Sequence, residues 1–292
     1  MVLHCTAQCN AFLKFCVTTD RPESGSACWR CFLSRSFAMS TPPEKLGMPI
    51  VGLGTYQLRG RECAEVVQTA LAMGYRHIDT AESYRNEAEV GQALANSGVP
   101  RESVFVTTKV WPHNFHRNDF LTSVEESLGR LRTDYVDLLL LHWPNDEVPL
   151  EEPLGALERL IADGKVRNGG VSNFSVSQLK NSLRIAGPAI SCNQVKCHLG
   201  AVPTDVIHYA AENSIVVTAY SPLAKGAVAK QHHLRELAEK YGKTASQIAL
   251  RWLTQQGVAV IPKSSKRERL EENLASGQFT LDPADVDLLG RP

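Results

Sequence analysis

The chain has 292 residues, 43% of them hydrophobic and 21% charged, with 31 basic and 31 acidic side chains. That composition belongs to a globular protein with enough chain to bury a large core. The balanced charge gives no long-range pull toward nucleic acid or an anionic membrane, and no apolar run approaches the roughly 20 residues of a spanning helix. The expectation is a cytoplasmic protein without nucleic-acid or membrane partners.

Residues 1–40 read as a poorly ordered extension and residues 41–292 as the folded domain, with the change at Met39-Ser40-Thr41-Pro42-Pro43. Cys5, Cys9, Cys16, Cys28 and Cys31 lie in the extension. Cys28-x-x-Cys31 has no second such pair and only His4 nearby, so free thiols are expected and no metal site. Lys14 interrupts the apolar run of residues 11–17, against a secretory signal. Arg21, Arg30, Arg35 and several serines leave a mitochondrial presequence open, with Asp20 and Glu23 against it.

From Met48 onward, β-rich runs alternate with amphipathic helical ones. Residues 49–56 (PIVGLGTY) are the first predicted strand. Residues 62–73 follow as a helix, with Val66, Val67, Ala70 and Leu71 at helical spacing and Gly74 as a stop. Residues 75–81, 104–110 and 136–143 are strands two to four, separated by helices over 87–95 and 123–131. Strand four, VDLLLLHW, is an almost unbroken apolar run, as expected of a parallel strand buried on both faces. Helices over 150–163, 175–185, 204–213 and 245–255 then alternate with strands over 166–173, 191–195, 215–222 and 258–264, and a last helix covers 267–275. Eight strand-helix units in this length predict a single-domain (β/α)8 TIM barrel. A doubly wound sheet competes for any such alternation, but no G-x-G-x-x-G joins a strand to a helix.

In a barrel, the strand ends share one mouth. They carry Thr55 and Tyr56; Asp79; Lys109 and Trp111; His142 and Trp143; Ser172 and Asn173; Gln194; Tyr220 and Ser221; Lys263 and Ser264. Singly, Asp79 could cap a helix, Lys109 could be a solvated edge charge, and His142 could be a satisfied core histidine. Polar groups at nearly every strand end point instead to a site.

These residues lie in strings that resemble the aldo-keto reductase family from about Pro49 to Asn273: GYRHIDTAESYRNEAEVG, VFVTTKVW, DYVDLLLLHWP, GGVSNF, NQV, AYSPL and IPKSSKRERLEEN. Within it, NEAEVGQAL, SGVP and LRTDYVDLLLLHWP resemble the bacterial 2,5-diketo-D-gluconic acid reductases, which also take methylglyoxal. The resemblance implies carbonyl reduction with NADPH on a small-molecule substrate by a monomer. The implied catalytic tetrad is Tyr84, Lys109, Asp79 and His142. Tyr84 would donate the proton, Lys109 would lower its pKa from about 10, Asp79 would hold Lys109, and His142 would orient the carbonyl. A shift of roughly three units would need about 4 kcal/mol.

For the cofactor, the resemblance implies Gly54, Thr55 and Asp79 beside the nicotinamide. Tyr220 would stack on it, and Ser172, Asn173 and Gln194 would bind its carboxamide. Ser221 and Leu223 would meet the pyrophosphate, Lys263, Ser264, Ser265 and Arg269 the 2′-phosphate, and Glu272 and Asn273 the adenine. Lys266, Arg267 and Arg269 read equally as a solvated helix face. Tyr56, Trp111 and His142 would contact substrate, although Trp111 alone reads as well as packing. No metal is implied. The chain ends at Pro292, where the family usually continues with a segment that closes the substrate pocket, so a short C-terminal segment and an open site are expected. The alternative is a nicotinamide-nucleotide-binding regulatory protein of the same fold with little turnover.

Overall fold

The computed structural model describes residues 40–227 and 232–290. The reading of the extension and its five cysteines lies outside the described residues. Eight parallel strands follow one another around a single sheet: β1 (Leu53–Gly54), β2 (His77–Asp79), β3 (Phe105–Val110), β4 (Val136–Leu141), β5 (Val166–Ser172), β6 (Cys192–Lys196), β7 (Val216–Tyr220) and β8 (Ala259–Val260). The last strand bonds the first. Gly52 N–H donates to the Val260 carbonyl at 2.8 Å, and Val260 N–H donates to the Ile50 carbonyl at 2.8 Å. The sheet is therefore a closed barrel, as the alternation predicts.

The helices are α1 (Gly60–Met73), α2 (Glu87–Asn96), α3 (Arg117–Leu131), α4 (Glu151–Ala162), α5 (Val176–Ala186), α6 (Thr204–Glu212), α7 (His232–Tyr241), α8 (Ala245–Thr254), α9 (Arg267–Ala275) and α10 (Pro283–Leu289). The first of them shows the local logic. It buries Cys63, Val66, Val67, Ala70 and Leu71 on one face and stops at Gly74, whose φ of 105° suits a residue without a Cβ. Among the described residues no helix is long and apolar enough to cross a membrane.

Strand periodicity decides where the chemistry lies. Side chains two apart share a face, so Leu138, Leu140 and His142 point one way and Leu139 and Leu141 the other. Met48, Phe105, Leu138, Leu140, Cys192, Val216 and Ala259 form a compact inner cluster, while Leu139 and Leu141 join the larger layer shared with the helices. Two residues past Phe105 and Leu140 the same inward rows become polar. They give Thr107, Lys109 and His142, all buried. Apolar residues fill the barrel below, and ionisable ones crowd its C-terminal mouth.

Several predicted bounds are corrected. Strands one and eight shrink to two residues each, because their flanks bond across the barrel seam as isolated pairs such as Val51 with Val260. The third helix begins at Arg117 and not at residue 123. Its first turn is polar apart from the buried Phe120, so periodicity misses it. The structure adds α7, with only Leu234 and Leu237 buried, and α10, with no buried residue.

Candidate active site

Asp79 closes β2, and its carbonyl oxygen accepts both the N–H and the hydroxyl of Thr55, each at 3.0 Å. The chain then turns through a short 3-10 segment, Glu82–Tyr84, in which Tyr84 N–H donates to the Ala81 carbonyl at 3.0 Å. The turn is pinned by Asn86, which is fully buried. Its Nδ2 donates to the carbonyls of Thr55 (2.9 Å) and Leu58 (3.0 Å), and its Oδ1 accepts the Thr80 hydroxyl at 2.7 Å. This ties β1, β2 and the turn together and brings Tyr84 back over the barrel mouth.

Beneath the Tyr84 ring lies the buried ion pair. Lys109 Nζ donates to Asp79 Oδ1 at 2.6 Å and to the Thr80 carbonyl at 2.7 Å, and sits 5.0 Å from the centre of the Tyr84 ring. The two charged side chains are 0% and 2% exposed. Gln194 Nε2 donates to the other Asp79 oxygen at 2.8 Å. The carboxylate is thus bonded on both oxygens, as a buried charge must be.

His142 stands across from the phenol, ring centres 5.6 Å apart, and Trp111 meets it edge-on at 5.1 Å. Tyr56 packs against Tyr84 at 5.1 Å. The Ser83 hydroxyl lies 3.3 Å from His142 Nδ1. Glu82 holds the loop that carries Trp111 by accepting from Trp111 N–H, Asn114 Nδ2 and the Ser123 hydroxyl. On the far side, Asn173 takes a left-handed φ of 64°. Its Oδ1 accepts the Tyr220 hydroxyl at 2.9 Å, and its Nδ2 donates to Ser172 Oγ at 3.0 Å. Backbone strain at such a residue is a feature of functional loops.

The electrostatics differ from expectation in one respect. Burial raises the Tyr84 pKa, and this outweighs the Lys109 ammonium, which pulls it down. The expected net lowering is therefore corrected: the phenol is held protonated. Burial alone would lower the Lys109 pKa, but Asp79 and Tyr84 beside it raise it above its ordinary value. Burial, aided by the Lys109 charge, pushes His142 down to about 3. Its imidazole is neutral at physiological pH and can offer a hydrogen bond but not an acidic proton.

The mouth opens into a cavity of about 650 Å³, within the range of small-molecule sites. Of the predicted residues, Gly54, Tyr56, Asp79, Tyr84, Trp111, His142, Ser172, Asn173, Gln194, Tyr220, Ser221 and Lys263 line it. A second cavity of about 630 Å³ shares Tyr56, Ser221 and Lys263 and continues along Leu223, Ser264, Arg269, Glu272 and Asn273. Lys109 lies under the floor. Thr55 and Ser265 line neither cavity: Thr55 is buried and bonds Asp79, and Ser265 is exposed. Sequence reading passed over Arg59, Ser83 and Ile261 in the first cavity and Gln57, Lys225 and Ser246 in the second. Trp143, expected at the mouth from its place at the end of a strand, lines the first cavity.

The protein is thus of the class of closed (β/α)8 barrels with a small-molecule cavity at the C-terminal mouth, here beside Tyr84, Lys109, Asp79 and His142. The profile of the aldo/keto reductase family matches residues 50–290, and the chain belongs to that family. It is 41% identical to the methylglyoxal reductase DkgB of Escherichia coli O157:H7 over 82% of this chain and 91% of that one. It is also 41% identical to the glyoxal reductase of Bacillus subtilis, over 82% and 87% of the two chains. A solved structure provisionally assigned as a 2,5-diketo-D-gluconic acid reductase B superposes with a TM-score of 0.83 at 42% identity, covering 90% of this chain and 94% of that one.

Proposed function

We propose that this chain uses NADPH to reduce aldehydes, ketoses and small dicarbonyls, such as methylglyoxal or 2,5-diketo-D-gluconate, to alcohols. The observation that carries the reading is the buried Asp79–Lys109 pair at 2.6 Å beneath the Tyr84 ring, with His142 facing the same cavity. The contiguous cavities fit an extended dinucleotide, and Lys263, Ser264 and Arg269 on the second supply cations and a hydroxyl beside the start of α9. A reduced nicotinamide bound there supplies hydride to the carbonyl carbon.

The chain's own residues do the rest. Tyr84, a phenol protonated at neutral pH and held so the more by its burial, gives its proton to the carbonyl oxygen as negative charge gathers there. Lys109 then stabilises the phenolate it leaves, and Asp79 keeps the ammonium charged and aimed. Neutral His142 donates an N–H to the same oxygen and polarises it. Gln194 commits its amide N–H to Asp79 and keeps its carbonyl oxygen for the nicotinamide carboxamide, with Ser172 and Asn173. Tyr220 supplies the stacking face. Gly54 and Asp79 border the nicotinamide, Thr55 supports them from beneath, and Ser221 and Leu223 line the pyrophosphate path. Lys263, Ser264, Ser265 and Arg269 form the 2′-phosphate pocket, and Glu272 and Asn273 the adenine end. Tyr56 and Trp111 wall the substrate. All these groups come from one chain, so a monomer suffices for the reaction.

The test is NADPH oxidation by purified protein over a panel of aldehydes, ketoses and dicarbonyls. Turnover with methylglyoxal or 2,5-diketo-D-gluconate is expected. Tight NADPH binding with no turnover of any carbonyl would replace this reading with that of a nucleotide-binding regulator.

A further inference from the structure

We propose that Arg59 selects carbonyl substrates that carry a carboxylate, holding that group on its guanidinium while the carbonyl faces Tyr84 and His142. This rests on the carbonyl-reductase reading above and adds the charge of the substrate to it.

Arg59 precedes α1 and lines the first cavity together with Tyr84, Trp111 and His142. It is absent from the lining of the second, which holds Arg269, whereas Lys263 borders both. Its Nη1 donates to the Tyr84 carbonyl at 2.8 Å, and among the described residues this is the only partner of its guanidinium. A guanidinium carries five N–H donors in a fixed plane and no acceptor, so most of its donors remain for a ligand. Among the described residues no carboxylate competes for it. Asp79 is bonded to Lys109 and Gln194, and Glu82 is turned to Trp111, Asn114 and Ser123. Arg59 is exposed at the rim, and among the described residues no carboxylate pairs with it, so it stands with Lys263 as a cation bordering the cavity of the proton donor.

The chemistry of that charge is specific. A planar fork matches a carboxylate with two parallel N–H bonds, which a neutral aldehyde cannot accept. The bond to the Tyr84 carbonyl already restrains the arginine, so less side-chain freedom is lost on binding. It also places the anion site next to the backbone of the catalytic tyrosine, which fixes the distance between the substrate's carboxylate and its reacting carbon.

The experiment compares succinic semialdehyde with butanal, which has the same carbon chain without the acid. The readout is the ratio of their kcat/KM values in the parent protein, Arg59→Gln and Arg59→Lys, so any loss common to both substrates cancels. The ratio should fall roughly ten- to a hundredfold in Arg59→Gln, as expected for losing a charge-assisted contact, and recover in part in Arg59→Lys. Quenching of tryptophan fluorescence by succinic semialdehyde measures binding without turnover, and should weaken in Arg59→Gln. A ratio that stays within about twofold of the parent overturns the proposal and leaves the reductase reading standing. So does an equal loss for both substrates together with a raised KM for NADPH, since the guanidinium would then serve a cofactor phosphate. Arg59-dependent binding of the acid without any turnover keeps the anion site and removes the reductase reading. Neither binding nor turnover removes both.

Discussion

Deleting one charge of the buried pair should cost more stability than deleting both. In Lys109→Met, Asp79 loses an ammonium 2.6 Å away and keeps only the Gln194 amide, in a site where its side chain is 2% exposed. Leaving one charge of a buried pair uncompensated costs about 3–5 kcal/mol. The double variant Asp79→Asn/Lys109→Met removes the charge while the new amide oxygen still accepts from Gln194. Two neutral groups then lack partners, the Thr80 carbonyl that loses its 2.7 Å donor and the new amide N–H2, and together they cost less than a stranded carboxylate. The double variant should therefore be about 1–2 kcal/mol more stable than Lys109→Met alone. Urea unfolding followed by far-ultraviolet circular dichroism measures all three proteins. A loss below about 1 kcal/mol in Lys109→Met, or a double variant no more stable than the single one, would refute the reasoning. Turnover should be lost in both variants, which separates the role of the pair in folding from its role in chemistry.

Stability should fall with acid because His77 and His142 are buried neutral, each with a pKa below 6.5, His142 at about 3. Below pH 6.5 the unfolded chain binds protons that the folded one does not, so each ring costs about 1.4 kcal/mol per pH unit until its folded pKa is reached. His142 alone predicts about 2 kcal/mol lost at pH 5, and equal unfolding midpoints at pH 6.5 and 5 would contradict this. Arg269→Ala should raise the KM for NADPH at least about tenfold and leave that for NADH nearly unchanged, and an equal effect on both would remove the 2′-phosphate assignment. Gly91→Ala should destabilise by about 1–3 kcal/mol, because a Cβ there would clash with the Arg130 carbonyl oxygen and meet Leu131 Cα at 2.7 Å across the contact of α2 with α3. A thermal midpoint equal to the parent's would contradict that.

The architecture was legible because strand interiors and strand ends differ in kind. VDLLLLHW is apolar from Leu138 to Leu141 and then turns to His142, and the inward row of β3 changes from Phe105 through Thr107 to Lys109. The site could be read at these transitions, and Asp79, Lys109, His142 and Gln194 do converge. Arg59, Ser83 and Asn86 were not legible as members of the site, since they lie in loops whose path is set by tertiary hydrogen bonds and carry no periodic pattern. The direction of the Tyr84 pKa was missed for a related reason. A neighbouring ammonium can be guessed from sequence, but the depth of burial that outweighs it cannot. α10 escaped because it is short and sets only Val286 and Leu289, both partly buried, against the core, with polar contacts adding to its hold. Lys240 bonds Asp282 and Asp285 at 2.9 and 2.6 Å, and Trp252 Nε1 bonds the Val286 carbonyl at 2.9 Å.

The most direct measurement is NADPH oxidation by Tyr84→Phe with the best carbonyl substrate of the parent protein. The rate should fall by about 10²–10⁴-fold while the circular dichroism spectrum and NADPH binding stay as in the parent. A folded Tyr84→Phe protein that turns over at the parental rate would show that the proton comes from elsewhere.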